Sequence, residues 1–91
     1  MSKPKPYWVY VVQCADNTFY TGIALDLDSR IIEHNKGKAS KYTRCRIPVK
    51  LVYSEIQTDK SAALKRELQI KKQSRQVKIA LINNYKQSDP C

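Results

Sequence analysis

The sequence predicts an α+β domain, a three-stranded antiparallel sheet flanked by helices in the order β-β-α-β-α-α. Three observations predict it. The stretch Tyr7–Cys14 (YWVYVVQC) is apolar on both alternating faces, as a strand covered on both sides must be. Turn chemistry follows at once in Ala15-Asp16-Asn17-Thr18 and leads into a second β-rich run, the pattern of a hairpin. The last third of the chain instead shows helical spacing punctuated by capping residues.

Each element has its own local reason. Residues 1–6 (MSKPKP), with two prolines and two lysines, read as a flexible basic tail. Tyr7–Cys14 is the central strand, and Phe19–Ala24 (FYTGIA) is its hairpin partner. Leu25–Asn35 fits a short helix, with Asp26 or Asp28 as N-cap and Gly37 just past its end. Gly37–Pro48 is a basic loop, and Pro48 opens a third strand, Val49–Ile56, that alternates cleanly. Thr58 or Asp59 caps a helix from Ser61 to Gln73, and Ser74 caps another that ends near Asn83 and Asn84. A single domain therefore spans 7–84, with 85–91 as a C-terminal tail.

Size and charge narrow the function classes. A chain of 91 residues buries only about 60–65% of its unfolded surface, which leaves no room for a second lobe around a large cofactor. Hydrophobic residues make up 42% of it, so the charge sits on a folded body. Lys plus Arg number 17 against 8 Asp plus Glu, a net charge of +9. Lys36, Lys38, Lys41, Arg44, Arg46 and Lys50 crowd one loop; Lys65, Arg66, Lys71, Lys72, Arg75 and Lys78 crowd the last third. Such a field draws polyanions, nucleic acid foremost. No basic segment carries a wide apolar face for lipid, the longest apolar run (Tyr7–Val12) is too short to cross a membrane, and no signal-peptide core follows Met1. Cys14, Cys45 and Cys91 lack CxxC spacing, which disfavours both a disulfide framework and a zinc cluster. A cytoplasmic monomer with reduced thiols is expected.

A few residues do not fit a purely structural role. Ala63, Glu67 and Ile70 share one helix face, so a carboxylate points with two core side chains. The ordinary explanation is an i,i+4 pair with Lys71; the functional one is a ligand for a divalent metal. In the first helix Leu27, Arg30, Ile31 and His34 share a face, where Arg30 could merely snorkel and His34 merely pack. Tyr10 and Tyr20 lie in strands, where tyrosine is common. Gly22, inside a strand, marks a bulge or a close approach. Two phenols, a guanidinium, an imidazole and a carboxylate on mutually packed elements make a kit for cutting a phosphodiester.

Trp8-Val9-Tyr10, then Tyr20-Thr21-Gly22, Arg30, His34 and finally Glu67 resemble the ordered signature of the GIY-YIG nuclease domain. The segments Gly37–Arg44 and Pro48–Tyr53 resemble its small stand-alone bacterial branch, the YhbQ-like proteins. The resemblance covers about Tyr7 to Asn84. It implies metal-assisted hydrolysis of nucleic acid, DNA rather than RNA, in repair or recombination. Carried over by position, it implies that Tyr10 closes the first motif, Tyr20 opens the second, Gly22 is the second motif's glycine, Arg30 is the catalytic arginine, and Glu67 holds one Mg²⁺ or Mn²⁺. His34 matches a position that is His or Tyr in relatives. Lys38, Lys41, Arg44, Arg46, Lys71 and Lys72 are the candidate nucleic-acid contacts. Trp8, Val9 and Thr21 depart from the motifs at packing positions.

Tyr10 is the proton acceptor this resemblance puts first, with His34 as the alternative and Tyr20 orienting Tyr10 or the water. An unperturbed phenol near pKa 10 is only about 0.1% ionised at pH 7, and depressing it by three units requires about 4 kcal/mol. Imidazole, near 6.5, is chemically the easier base. One geometric condition applies. Tyr10 and Tyr20 share a sheet face only if paired positions sum to an even number, which needs a three-residue turn or a bulge near Gly22. The rival reading is a non-catalytic nucleic-acid binder on the same fold; a third is an adaptor for acidic proteins or membrane.

Overall fold

The first strand lies at the centre of the sheet, as its two-sided apolar character requires. Residues 5–87 are described by the structure, a computed structural model. The chain runs β1 (Tyr7–Gln13), β2 (Phe19–Ala24), α1 (Leu27–Asn35), α2 (Lys41–Arg44), β3 (Lys50–Gln57), α3 (Lys60–Lys71) and α4 (Arg75–Gln87). The strand order is β2-β1-β3, antiparallel throughout. Val9, Val11 and Val12 are buried in β1 beside Tyr10.

The hairpin register settles which side chains share a face. Tyr10 pairs with Gly22 and Val12 with Tyr20, so both phenols project from the same side. A three-residue turn sets this register rather than a bulge at Gly22. Cys14 N–H bonds Thr18 O at 2.8 Å, and Asn17 takes the left-handed conformation at φ 68°. Asp16 braces the turn by accepting from Thr18 N at 3.1 Å and Thr18 Oγ1 at 2.6 Å. A bulge does occur between β1 and β3, where Val11 faces Tyr53 but Val12 faces Leu51. The extra residue, Val52, puts Tyr53 against one core cluster while Leu51, two positions away, packs against the other.

Two cores result. On one side Val9, Val11 and Val52 pack with Ala63 and Ile70 of α3 and Ile82 of α4. On the other, Tyr10, Val12, Cys14, Ala24 and Val49 pack with Leu27 and Ile31 of α1. Local capping sets the helix limits. Asp26 accepts from Ser29 N at 3.1 Å, Asp59 from Ala62 N at 2.8 Å, and Ser74 from Val77 N at 3.3 Å. Gly37, at φ 76°, ends α1 with paired bonds from Gly37 N to His34 O and Lys38 N to Glu33 O.

Two differences from the sequence reading concern helices. The basic loop contains a one-turn helix, α2, capped by Ser40, whose Oγ accepts from Tyr42 N at 3.1 Å. That turn is too short to leave a periodic signature. The last helix continues past Asn84 to Gln87. Of the two expected tails, residues 1–4 and 88–91 lie outside the described residues. No helix among the described residues is long and apolar enough to cross a membrane.

Candidate active site

Tyr10 projects from the centre of β1 over Gly22. A Cβ at that glycine would stand 2.6 Å from Tyr10 Oη and 2.8 Å from Cζ, so the missing side chain is the space the phenol occupies. Tyr10 Oη lies 2.7 Å from His34 Nε2, and His34 Nδ1 lies 2.8 Å from Thr43 Oγ1. His34 reaches this position because it follows Leu27 and Ile31 on the buried stripe of α1. Tyr10 is 1% exposed, and His34 and Thr43 are fully buried. Tyr20 completes the cluster at its half-buried edge, its ring 6.5 Å from Tyr10 and 5.3 Å from His34. Its other neighbour is the exposed Tyr42, stacked at 6.0 Å.

Electrostatics then separate the candidate proton acceptors. Burial, followed by the neighbouring Tyr20, pushes the Tyr10 phenol well above its ordinary pKa; Arg30 opposes this, while Glu67 and Glu33 add to it. Tyr10 is therefore held as a neutral phenol, against the depression a base role needs. Burial, then Arg30, lowers the pKa of His34, with Glu33 opposing. The imidazole stays neutral, but both its nitrogens are engaged and no face of it meets water. Packing seals both candidates expected from sequence, Tyr10 and His34, and leaves Tyr20 as the half-buried phenol of the cluster.

Arg30 sits one turn before His34, its side chain 38% exposed and its Nε 3.6 Å from Glu33 Oε1. Glu67 comes from α3, across the sheet, where Ala63 and Ile70 anchor the helix. Its side chain is 18% exposed, so it does not turn out to bulk solvent, and the expected i,i+4 partner Lys71 lies 3.7 Å away. The charges of Arg30 and Glu67 both act at the Tyr10 hydroxyl. The structure thus packs Tyr10, Tyr20, Gly22 and His34 together, while Arg30 of α1 and Glu67 of α3 bear on this cluster through charge. A cleft of about 420 Å³ lined by Tyr7, Asp26, Arg30, Glu33 and Lys60 among others shares only Arg30 with this set.

The expected nucleic-acid contacts divide in two. Lys38, Lys41 and Arg44 line a cleft of about 200 Å³ with Gly37, Ala39 and Ser40, and among the described residues none of the three cations forms an ion pair. Arg46 is committed elsewhere. It pairs with Asp16 at 3.0 Å, donates to Tyr42 O at 2.7 Å, and lies 4.1 Å over the Tyr42 ring, tying the loop to the hairpin turn. Lys71 is held by Glu67, and Lys72 is exposed at the end of α3. No group of three or more His, Cys, Asp or Glu that could hold a metal ion occurs among the described residues. Any divalent ion would rely on Glu67 together with water and substrate oxygens, a donor set that suits Mg²⁺ or Mn²⁺ and not zinc. Sequence reasoning missed Tyr42 and Thr43. The one signal for Thr43 is chemical: a buried imidazole needs a partner at each nitrogen.

Comparison with known proteins follows the same outline. The family model of the GIY-YIG catalytic domain matches residues 6–85. The UPF0213 protein SERP0126 of Staphylococcus epidermidis is 53% identical over 76 residues, covering 84% of this chain and 93% of that one. UPF0213 protein SSP2268 of Staphylococcus saprophyticus is 52% identical over 77 residues, 85% and 94% of the two chains. The solution structure of UPF0213 protein BH0048 from Bacillus halodurans is similar at a TM-score of 0.56 and 38% identity, over 86% of this chain and 83% of that one. That of EF2693 from E. faecalis reaches 0.61 and 31%, over 100% and 97%.

Proposed function

The chain belongs to the GIY-YIG family, and on that premise we propose that it is a divalent-metal-dependent endonuclease that hydrolyses phosphodiester bonds in DNA. What supports this is a sealed Tyr10–His34 pair with half-buried Tyr20 against it, and the charges of partly exposed Arg30 and Glu67 both acting at the Tyr10 hydroxyl. Arg30 supplies a planar donor that matches phosphate oxygens and stays charged at any working pH. Tyr20, the phenol at the half-buried edge of the cluster, orients the attacking water, whose proton passes to solvent. Tyr10 and His34 stand behind it as a rigid support. Glu67 holds the divalent ion, which when bound supplies Lewis-acid stabilisation of the phosphate. Lys38, Lys41 and Arg44 give the strand a charged track beside the site.

The test is incubation with labelled single-stranded, duplex and branched DNA and RNA, in Mg²⁺, Mn²⁺ or chelator. Cleavage is expected only with metal, and Arg30→Ala and Glu67→Gln should each lower it about 10³-fold, while binding in chelator persists. Equal cleavage by all variants defeats the proposal. A non-catalytic binder is favoured by one observation, the ordinary helix pair that Glu67 makes with Lys71. It predicts salt-sensitive association, falling about 10³-fold between low and moderate salt for about six phosphate contacts, with no product and no effect of Glu67→Gln.

A further inference from the structure

We infer that Thr43 is a positioning residue: it fixes the tautomer of His34 and, through it, the direction in which the Tyr10 hydroxyl donates. Three hydrogen bonds form one chain. Tyr10 Oη meets His34 Nε2 at 2.7 Å, His34 Nδ1 meets Thr43 Oγ1 at 2.8 Å, and Thr43 Oγ1 donates to Ser40 O at 3.4 Å. A carbonyl oxygen only accepts, so this last contact assigns the Thr43 proton. Thr43 Oγ1 then accepts from His34 Nδ1–H, which leaves Nε2 without a proton, and Nε2 accepts from Tyr10 O–H. The reverse order spends the Thr43 proton on Nδ1 and leaves Ser40 O without that donor. It also deprives the Tyr10 proton of His34 Nε2, the only hydrogen-bond partner of that hydroxyl among the described residues. Every buried side-chain nitrogen and oxygen among the described residues has a hydrogen-bond partner, and only the forward order also gives the buried Tyr10 proton an acceptor.

The consequence reaches the site. With its proton drawn inward, Tyr10 presents only lone pairs on the side of Gly22 and Tyr20. It does not act as an acid toward that side. Thr43 also lies in α2, the turn that carries Lys41 and Arg44, so the element that bears the free cations is the one that orients the imidazole. The effect on turnover rests on the nuclease reading; the tautomer does not.

Because the chain has a single histidine, its imidazole nitrogens can be read without ambiguity in a long-range ¹H–¹⁵N correlation spectrum. In the wild type the protonated nitrogen should be Nδ1. Thr43→Ser should keep that pattern, and Thr43→Val should lose it, with kcat falling on the order of 10-fold at unchanged KM. A wild-type Nε2–H tautomer, or an unchanged spectrum in Thr43→Val, overturns the inference. Should the valine variant not fold, the wild-type and serine spectra decide it. Absence of cleavage in every protein with an Nδ1–H spectrum refutes the nuclease reading and leaves this assignment standing.

Discussion

The two faces of the sheet are equally dry and built on different principles. Toward α3 and α4, the buried apolar residues are Val9, Val11, Val52, Ala63, Ile70 and Ile82, Thr21 is buried opposite Val11, and the charged groups stay at the rim. There Glu55 accepts from Tyr53, Gln57 and Arg66, with Arg66 Nε at 2.9 Å. Toward α1 and α2, Tyr10, His34 and Thr43 are as buried as any valine, yet each carries hydrogen-bonding obligations that cost free energy unless met. One face stabilises by area and shape. The other spends part of its interior on a satisfied polar network and so places specific atoms where apolar packing alone would not.

Substitutions can break that contrast, and the largest effect belongs to the apolar face. Ile70→Ala should cost about 2–5 kcal/mol in urea unfolding and leave the Tyr10–His34 bond intact, since it empties only the α3 side. A matching loss of the His34 spectrum would show that the faces are not independent. Gly22→Ala acts on the other side. Its Cβ meets the ring of a buried tyrosine, which cannot swing away, and should cost about 1–3 kcal/mol while shifting the His34 resonances. An unaltered spectrum would contradict the close approach.

Tyr10→Phe and Tyr20→Phe sharpen the comparison within one cluster. Removing the buried hydroxyl orphans His34 Nε2 and should cost about 1–3 kcal/mol. Removing that of half-buried Tyr20 should change stability by less than about 0.5 kcal/mol and abolish cleavage. Similar melting with the opposite activity ranking would move the water-orienting role to Tyr10.

The smallest effect is in pH. His34 binds a proton less readily folded than unfolded, because of burial first and Arg30 second. Above the ordinary imidazole value near 6.5 both states are neutral and its contribution is complete. As pH falls through that value the unfolded chain gains protons the folded one refuses. Stability therefore declines toward acid, by at most about 1.4 kcal/mol per pH unit. Urea midpoints between pH 7.5 and 5.5 should show the decline, and His34→Gln should flatten it.

Much of the fold was legible because it is local. Asp26, Asp59 and Ser74 act on amides three residues away, and Gly37 ends its helix by its own φ. The even hairpin register was legible as a condition, and Asn17 met it. The site was legible in part. Arg30 and Glu67 stood out by helical spacing, and the charges of both act at the Tyr10 hydroxyl. The short α2 was hidden among basic residues, and with it Thr43.

By itself the sequence determined the strands, the caps, the charge and the face each site residue occupies, since periods of 2 and 3.6 and capping offsets are properties of neighbouring residues. The tertiary structure alone decided which of two similar phenols is sealed from water, and which hydroxyl, nine positions away, sits against the single imidazole. Desolvation and hydrogen-bond partnership depend on atoms brought together from β1, β2, α1 and α2, and no local pattern encodes that meeting.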